Sequence, residues 1–316
     1  MPSKNPFSFA LKVKEEIASS HMPETSIRPF LSAFIKCNGT YRLGGVIDLS
    51  SESSRVAKLL YQSISSIYGV GVRFSYTRSM NFRKAVKYHC LVDEADFICS
   101  DLDVDFLSAK PNKYLIGTNE NLSAYLAGCF VSVGSVNDPK SSNYHLELAL
   151  SDPDFASFIC KCISKIKTIE FTPKIIKRRQ QYVVYLKRSV QISDFLSYIG
   201  ATSSCLEFEN VRVGREMINI DNRLENLDLA NMEKTLSAAS RQIKEIDYLK
   251  EKRILDNLPY KVRVLADIRK NNPEASLEEL ASILSETISS QVSKSNINHI
   301  LRKIHEEYIN DSGNIR

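Results

Sequence analysis

The apolar positions of this chain repeat. Leu31–Gly39 reads LSAFIKCNG and Leu126–Gly134 reads LAGCFVSVG. Each is a Leu, two small residues, an apolar pair, three mixed residues and a Gly. Both segments are predicted to be helical, with Leu31, Phe34 and Ile35, or Leu126, Phe130 and Val131, filling a core. Small residues meet in the alignment, Ala33 opposite Gly128 and Ser32 opposite Ala127, so the two backbones are expected to touch. Each segment is followed by a turn and a short alternating strand, Gly45–Ser50 or Tyr144–Leu150. Next come the capping clusters Ser51-Glu52-Ser53 and Ser151-Asp152-Pro153-Asp154, whose side-chain oxygens suit the unpaired N–H groups of a first helical turn. Amphipathic helices are expected over Arg55–Tyr68 and Phe155–Ile166. Two basic hairpins complete the units: Val72–Arg78 with Lys84–Val92, and Glu170–Lys177 with Gln181–Arg188. Two copies of one α/β pattern imply a pseudo-twofold pair.

Beyond Asn210 the pattern becomes helical throughout. Asn219–Asp256 carries Leu224, Leu227, Met232, Leu236, Ile243, Ile246 and Leu249 at helical spacing, which predicts one or two long connecting helices. Three shorter helices follow. The first spans Tyr260–Lys270 and stops before Pro273. The second opens with the capping box Ser276-Leu-Glu-Glu279 and presents Leu277, Leu280, Ala281 and Leu284. After a linking stretch, Ser285–Val292, the third opens at Ser293 or Ser295 and runs through Ile297, Ile300, Leu301 and Ile304. Helix, short helix, turn, longer helix is the helix-turn-helix plan. The expected divisions are 1–110 and 111–218 for the halves, 219–256 for a helical linker and 257–316 for the tail. The class is α+β followed by an all-α domain.

Charge sharpens this picture. A net charge of +5 on 316 residues is mild, but it is unevenly placed. Residues 155–190 hold nine Lys or Arg and one acid, and residues 71–90 hold five and none. Such blocks suit a polyanion. The candidate phosphate contacts are Arg73, Arg78, Lys84, Lys87, Lys174, Lys177, Arg178, Arg179 and Lys187. The third tail helix displays Ser293, Lys294, Ser295, Asn296, Asn298, His299, Arg302 and Lys303, with no acid until Glu306. Amides and hydroxyls can read base edges, and cations hold phosphates. Double-stranded DNA is therefore the expected partner, without a small-molecule substrate. The seven cysteines are odd in number and scattered, as suits reduced thiols in a cytoplasm. Cys160-x-Cys162 has no companion pair and is read as buried helix rather than a metal site. No stretch approaches the length of a membrane span, and no signal-peptide apolar region opens the chain. Gly69-x-Gly71 and Gly44-Gly45 lack the Lys-Ser/Thr of a P-loop and are assigned to turns.

The tail PEASLEELASIL (Pro273–Leu284) and VSKSNINHILRKI (Val292–Ile304) resembles the C-terminal signature of the WhiA family, bacterial sporulation and cell-division regulators. NRLENLDLANMEKTLSAASRQI (Asn222–Ile243), AYLAGCFVSVGSVNDP (Ala124–Pro139), YHLEL (Tyr144–Leu148) and RRQQYVVYLK (Arg178–Lys187) match that family in order and spacing. The resemblance spans nearly the whole chain and is weakest over residues 1–110. It implies two degenerate LAGLIDADG homing-endonuclease halves with a saddle-shaped antiparallel sheet, then a helix-turn-helix. It also implies a cytoplasmic, nucleoid-associated DNA-binding regulator tied to cell division and chromosome segregation. A sigma factor or division component is a further candidate partner, should the saddle hold a protein. Two features depart from the family pattern: Asn296 and Ile300 stand where Gly and Arg are expected, and the stretch before Ser293 is longer.

In active LAGLIDADG enzymes an acid precedes the last Gly of each motif and holds divalent metal. Here those positions are Asn38 and Val133, so no catalytic residue, metal or cofactor is assigned. The other acids nearby are Asp48, Glu147 and Asp138. Two alternatives stay open. One is a metal-dependent nuclease using relocated acids such as Asp48 and Glu147. The other is a protein-interaction scaffold. His145 and Glu147, two apart on a strand, are expected to form a hydrogen-bonded pair.

Overall fold

The structure is a computed structural model and describes residues 8–78, 86–108, 110–141, 143–167 and 170–313. The chain divides into two compact units, residues 1–215 and 216–316. The first unit opens with α1 (Phe9–Ser19), a helix that the repeat pattern does not predict, and α2 (Glu24–Asn38). Then come β1 (Thr40–Arg42), β2 (Val46–Ser51), α3 (Ser54–Tyr68), β3 (Val72–Arg78), β4 (Val86–Val92) and α4 (Ala95–Asp101). The second half repeats the order: α5 (Asn119–Val133), β5 (Gly134–Val136), β6 (Leu146–Leu150), α6 (Pro153–Ser164), β7 (Lys174–Arg178), β8 (Gln181–Leu186) and α7 (Ser189–Tyr198).

Each half builds its own four-stranded antiparallel sheet, so the expected saddle is made of two sheets rather than one. The strand orders, β1-β2-β4-β3 and β5-β6-β8-β7, are the same topology. The caps fall where the hydroxyl and acidic clusters place them. Ser53 Oγ accepts from the N–H groups of Arg55 and Val56 at 3.1 and 3.4 Å, and Asp152 Oδ1 accepts from Asp154 N–H at 2.9 Å. Gly44 and Gly45 form the β1–β2 turn with φ of +84° and +70°, and Gly69 ends α3 at +64°.

The halves join through α2 and α5. Leu31, Phe34, Ile35, Leu126 and Phe130 are fully buried between them. Alternate strand residues close the same core, Ile47 and Leu49 in β2 and Leu146, Leu148 and Leu150 in β6. The two backbones approach so closely at Gly128 that a Cβ there would lie 2.3 Å from the Phe30 carbonyl oxygen and 3.1 Å from Ala33 Cβ.

The connecting segment is one helix, α8 (Thr202–Glu251), which begins well before Asn219. Its start is fixed from outside. Gly200 turns the chain at φ +85°, and the Glu16 carboxylate of α1 accepts from Ser203 N–H and Ser204 N–H at 2.6 and 2.8 Å. A carboxylate at a helix N-terminus meets unpaired donors and the positive end of the helix dipole. No residue inside the segment breaks the helix, because Gly214 carries only a modest propensity cost.

In the second unit the last turns of α8 pack with α9 (Tyr260–Asn271), α10 (Leu277–Ile288) and α11 (Lys294–Gly313). Ile246 and Leu249 share one core with Leu265, Leu280, Leu284, Ile297 and Leu301, so this part of α8 belongs to the tail's core. Among the described residues no helix is long and apolar enough to cross a membrane.

Gly128→Ala tests the α2–α5 contact. In an open helix it would stabilise by up to about 1 kcal/mol. At this contact the added methyl forces the helices apart, and the full chain is expected to lose ~1–3 kcal/mol in urea unfolding.

Candidate nucleic-acid interface

The second unit orients one helix. α10 starts with the expected capping box, Glu279 N–H to Ser276 Oγ at 3.2 Å and Ser276 N–H to the Glu279 carboxylate at 2.7 Å. Those bonds hold the Glu279 carboxyl below its ordinary pKa. α10 runs to Ile288, four residues past Leu284, and Ser289 ends it in the left-handed region at φ +51°. Ser285 Oγ, inside this extra turn, accepts from Val292 N–H at 2.9 Å and pins the turn to α10. Ser293 is the cap of α11: its Oγ accepts from Asn296 N–H at 3.3 Å.

Ile297, Ile300, Leu301 and Ile304 face inward, so Ser293, Lys294, Ser295, Asn296, Asn298, His299 and Arg302 stand exposed on the outer side, and Lys303 is half-buried. The sequence-predicted reading residues are thus gathered on the first turns of one helix. Lys294 pairs with Glu278 at 3.0 Å and Arg302 with Glu306 at 3.9 Å, all largely exposed. Pairs of this kind contribute ~0–1 kcal/mol and yield readily to a phosphate.

The helices of this unit are joined by polar ties that the helical pattern does not reveal, two of which hold α11. Arg269 is 2% exposed; its Nε donates to Gln242 Oε1 of α8 at 2.9 Å, and Nη1 donates to the Ala275 carbonyl. Glu245 of α8, 4% exposed, holds His305 Nδ1 of α11 at 2.7 Å. Tyr248 donates to Asp311 at 3.0 Å and meets Tyr308 edge-on. Their only sequence signal is a charged or polar residue on the apolar side of a helical pattern.

In the first unit the sheets divide the basic residues between two faces. Strand register places Arg73 and Lys87 on the side of sheet one away from its helices. Lys174 and Arg178 lie on the corresponding side of sheet two. Arg73 is tied to Asp93 at 2.8 Å and Arg178 to Glu147 at 3.2 Å. Arg78 and Lys177 lie on the helix side, over the rings of Tyr76 and Tyr182. Arg179 occupies the β7–β8 turn at φ +56°, and Lys187 covers the Tyr185 ring. Lys84 lies outside the described residues.

The acids of the open faces are held locally. Asp48 pairs with Arg42, and His89 Nδ1 lies 3.1 Å from it, with His89 Nε2 3.1 Å from Thr77 Oγ1. Glu147 is bonded to His145 Nε2 at 2.9 Å as well as to Arg178, which makes His145–Glu147 the expected hydrogen-bonded pair. Register shows that the two acids are counterparts, Asp48 opposite Thr40 and Glu147 opposite Ser135, each the residue after a repeat glycine. Asn38 accepts the Ser50 N–H at 2.7 Å, and Val133 is part of the core packing. Among the described residues no group of three or more His, Cys, Asp or Glu could hold a metal ion. Cys160 and Cys162 are free thiols on α6.

Three family domains match the chain in order. They are the WhiA N-terminal LAGLIDADG-like domain over residues 24–104, the WhiA LAGLIDADG-like domain over 122–218 and the WhiA C-terminal HTH domain over 222–308. A protein from Lacticaseibacillus casei named probable cell division protein WhiA is 36% identical over 308 residues, covering 95% of this chain and 96% of its own. The chain belongs to the WhiA family. A relative of the same name from Oenococcus oeni is 35% identical over 306 residues, covering 94% of this chain and 96% of its own. The crystal structure of full-length DUF199/WhiA from Thermatoga maritima shares the fold over 96% of this chain and 97% of that one, with a TM-score of 0.59 and 24% identity. Both the LAGLIDADG-like halves and the helix-turn-helix of this WhiA-family chain are thereby accounted for.

Arg269→Met is expected to cost ~1–3 kcal/mol, because it removes the bonds from α9 to the half-buried Gln242 and Ala275 carbonyl. Hydrogen exchange on the full chain should show the effect as weaker protection across α9–α11, with the first unit unchanged.

Proposed function

We propose that this WhiA-family chain is a DNA-binding regulator that binds duplex DNA without cutting it. The observation that carries this reading is the outer face of α11. Seven exposed hydroxyl, amide, imidazole and cationic residues occupy its first turns, on a helix seated by a capped turn and by the Glu245–His305 and Tyr248–Asp311 bonds. In the helix-turn-helix arrangement the corresponding helix enters the major groove with its N-terminal residues at base edges. Asn296 and Asn298 suit adenine, Lys294 and Arg302 suit guanine or phosphate, and the hydroxyls of Ser293 and Ser295 suit either. Arg73, Lys87, Lys174 and Arg178 on the open sheet faces would add backbone contacts, which supply affinity rather than sequence.

The absence of a cutting step rests on the carboxylates. The seam positions are Asn38 and Val133, while Asp48 and Glu147 are each neutralised by an arginine and a histidine bond within their own sheets. The relatives' name ties the regulation to cell division, and chromosome segregation and transcription control are the forms such regulation would take. This reading places the protein at the nucleoid, with a sigma factor or division component as a protein partner.

Binding of the full chain to genomic duplex fragments tests the reading. Lys294→Ala with Arg302→Ala is expected to weaken binding tenfold or more, with unchanged helical content. The salt slope should become shallower by ~0.9 for each phosphate that the variant no longer neutralises. No duplex binding near ~50 mM salt would overturn the reading. Plasmid nicking that requires Mg²⁺ and disappears in Asp48→Asn or Glu147→Gln would overturn the non-cutting part.

A further inference from the structure

The seam between the halves contains a polar cavity of about 320 Å³. Its walls come from three places: α1, the end of α2 with β2 and β4, and the end of α5 with β5. It therefore lies where the two repeat helices finish, beside Asn38, and Ser132 and Ser135 form its wall in the second half.

The polar groups lining it are mostly donors. Ser8 Oγ accepts from Leu11 N–H at 3.2 Å and Ser51 Oγ from Ser53 N–H at 3.1 Å, which leaves both hydroxyl protons for the cavity. Asn38 Oδ1 is taken by the Ser50 N–H, which leaves its NH₂ group. Lys14 and Lys87 supply two ammonium groups, and among the described residues neither makes a hydrogen bond or an ion pair. The one carboxylate in the lining is Glu52. Two ammonium groups against one carboxylate give the cavity a net charge of +1.

Lys14 is held there against its own solvation. Burial lowers its pKa from the ordinary lysine value to about 8, and Glu52 pulls the other way. An ammonium kept in a cavity without a bonded partner costs stability, and such costs concentrate at functional sites. The ends of α2 and α5 bring the negative ends of two helix dipoles to the cavity, and the start of α1 at Ser8 brings a positive one. The negative ends alone would explain a cation, but not a second ammonium and three unused donors around it.

We propose that the seam cavity is a phosphate-holding site, in which Lys14 and Lys87, with the donors of Ser8, Ser51 and Asn38, grip a phosphodiester of the DNA backbone and leave it intact. The net charge of its side chains is opposite in sign to that of a phosphodiester. The proposal rests on the DNA-binding reading for the source of the phosphate, and a free phosphate has the same chemistry.

The test uses the full chain with a bound duplex, measured over ~50–300 mM salt. Lys14→Met and Lys87→Met are each expected to make the slope of log affinity against log salt shallower by ~0.9. Lys58→Met, an exposed lysine of α3, serves as the control and should leave it unchanged. Lys14→Met should melt at or above the wild-type temperature at pH 7, because a buried charge is removed, and Lys87 is exposed enough that its replacement leaves the fold intact. In parallel, inorganic phosphate is titrated into the DNA-free chain while the Lys14 side-chain NMR signal is followed through its pH titration. A shallower slope identifies backbone phosphate. An unchanged slope with the Lys14 midpoint raised by phosphate identifies a free phosphate in the same site. An unchanged slope with an unmoved midpoint, or a lower melting temperature alone, makes Lys14 a structural counter-charge and overturns the proposal. If that happens while Lys294→Ala still weakens duplex binding, the DNA reading stands without it. If the wild type binds no duplex, the DNA reading fails and the phosphate titration alone decides the cavity.

Discussion

The contact of α2 with α5 sets the geometry of the first unit. Two helix backbones can approach this closely only where side chains are absent or small, and Gly128 over the Phe30 carbonyl leaves no room for a Cβ. The large apolar residues Leu31, Phe34, Leu126 and Phe130 then pack beside the contact rather than within it. Because each helix leads directly into the first strand of its sheet, fixing the helix pair also fixes the relation between the sheets. It brings the last turns of both helices to one seam as well. The same constraint therefore explains why the repeat is visible in the sequence and why a polar cavity exists between the halves.

Charge is arranged differently on the sheets and at the seam. On each sheet the acid after the turn, Asp48 or Glu147, is matched by an arginine and a histidine within bonding distance. Those carboxylates are neutralised where they stand. Four bonded partners would have to be displaced before the two could act together on a metal. At the seam the balance is reversed, with ammonium groups and donors outnumbering the one carboxylate. A site of that polarity lacks the anionic ligands that would hold Mg²⁺.

The repeat, the caps and the tail are legible in the sequence because each is local. Ser53, Asp152, Ser276 and Ser293 act on N–H groups within three residues, and the Leu31 and Leu126 segments have a period that can be counted. What stays hidden depends on partners distant in sequence. The start of α8 at Thr202 has a local cue in the turn at Gly200, but its cap is Glu16, nearly 190 residues away, and nothing in residues 200–220 identifies that partner. α1 has a readable helical pattern in Phe9, Ala10, Val13 and Ile17, yet nothing in that pattern says that Lys14 enters a cavity between two later helices. Of the basic hairpins, strand alternation alone could separate Arg73 and Lys174 from Arg78 and Lys177, but only once the register is known. In α11 helical period separates the inward Ile297, Ile300 and Leu301 from the outward set, and the exposure of that set follows from the same count.

Hydrophobic burial closes the second unit without fixing how α11 sits in it. An apolar core of Leu265, Leu280, Leu284 and Leu301 is non-directional and tolerates rotation or sliding of a helix. The buried polar groups do not tolerate it. Arg269 must reach Gln242 and the Ala275 carbonyl together, and Glu245 must meet His305. A register shift of one residue turns a helix by about 100° and breaks these bonds, leaving the buried Arg269 and Glu245 without their partners. The outward set from Ser293 to Arg302 can act as a reading face only if its residues hold fixed positions relative to one another and to the turn before them. The same polar ties that make the core less forgiving therefore fix the rotation of α11, as the proposed base-reading role would require.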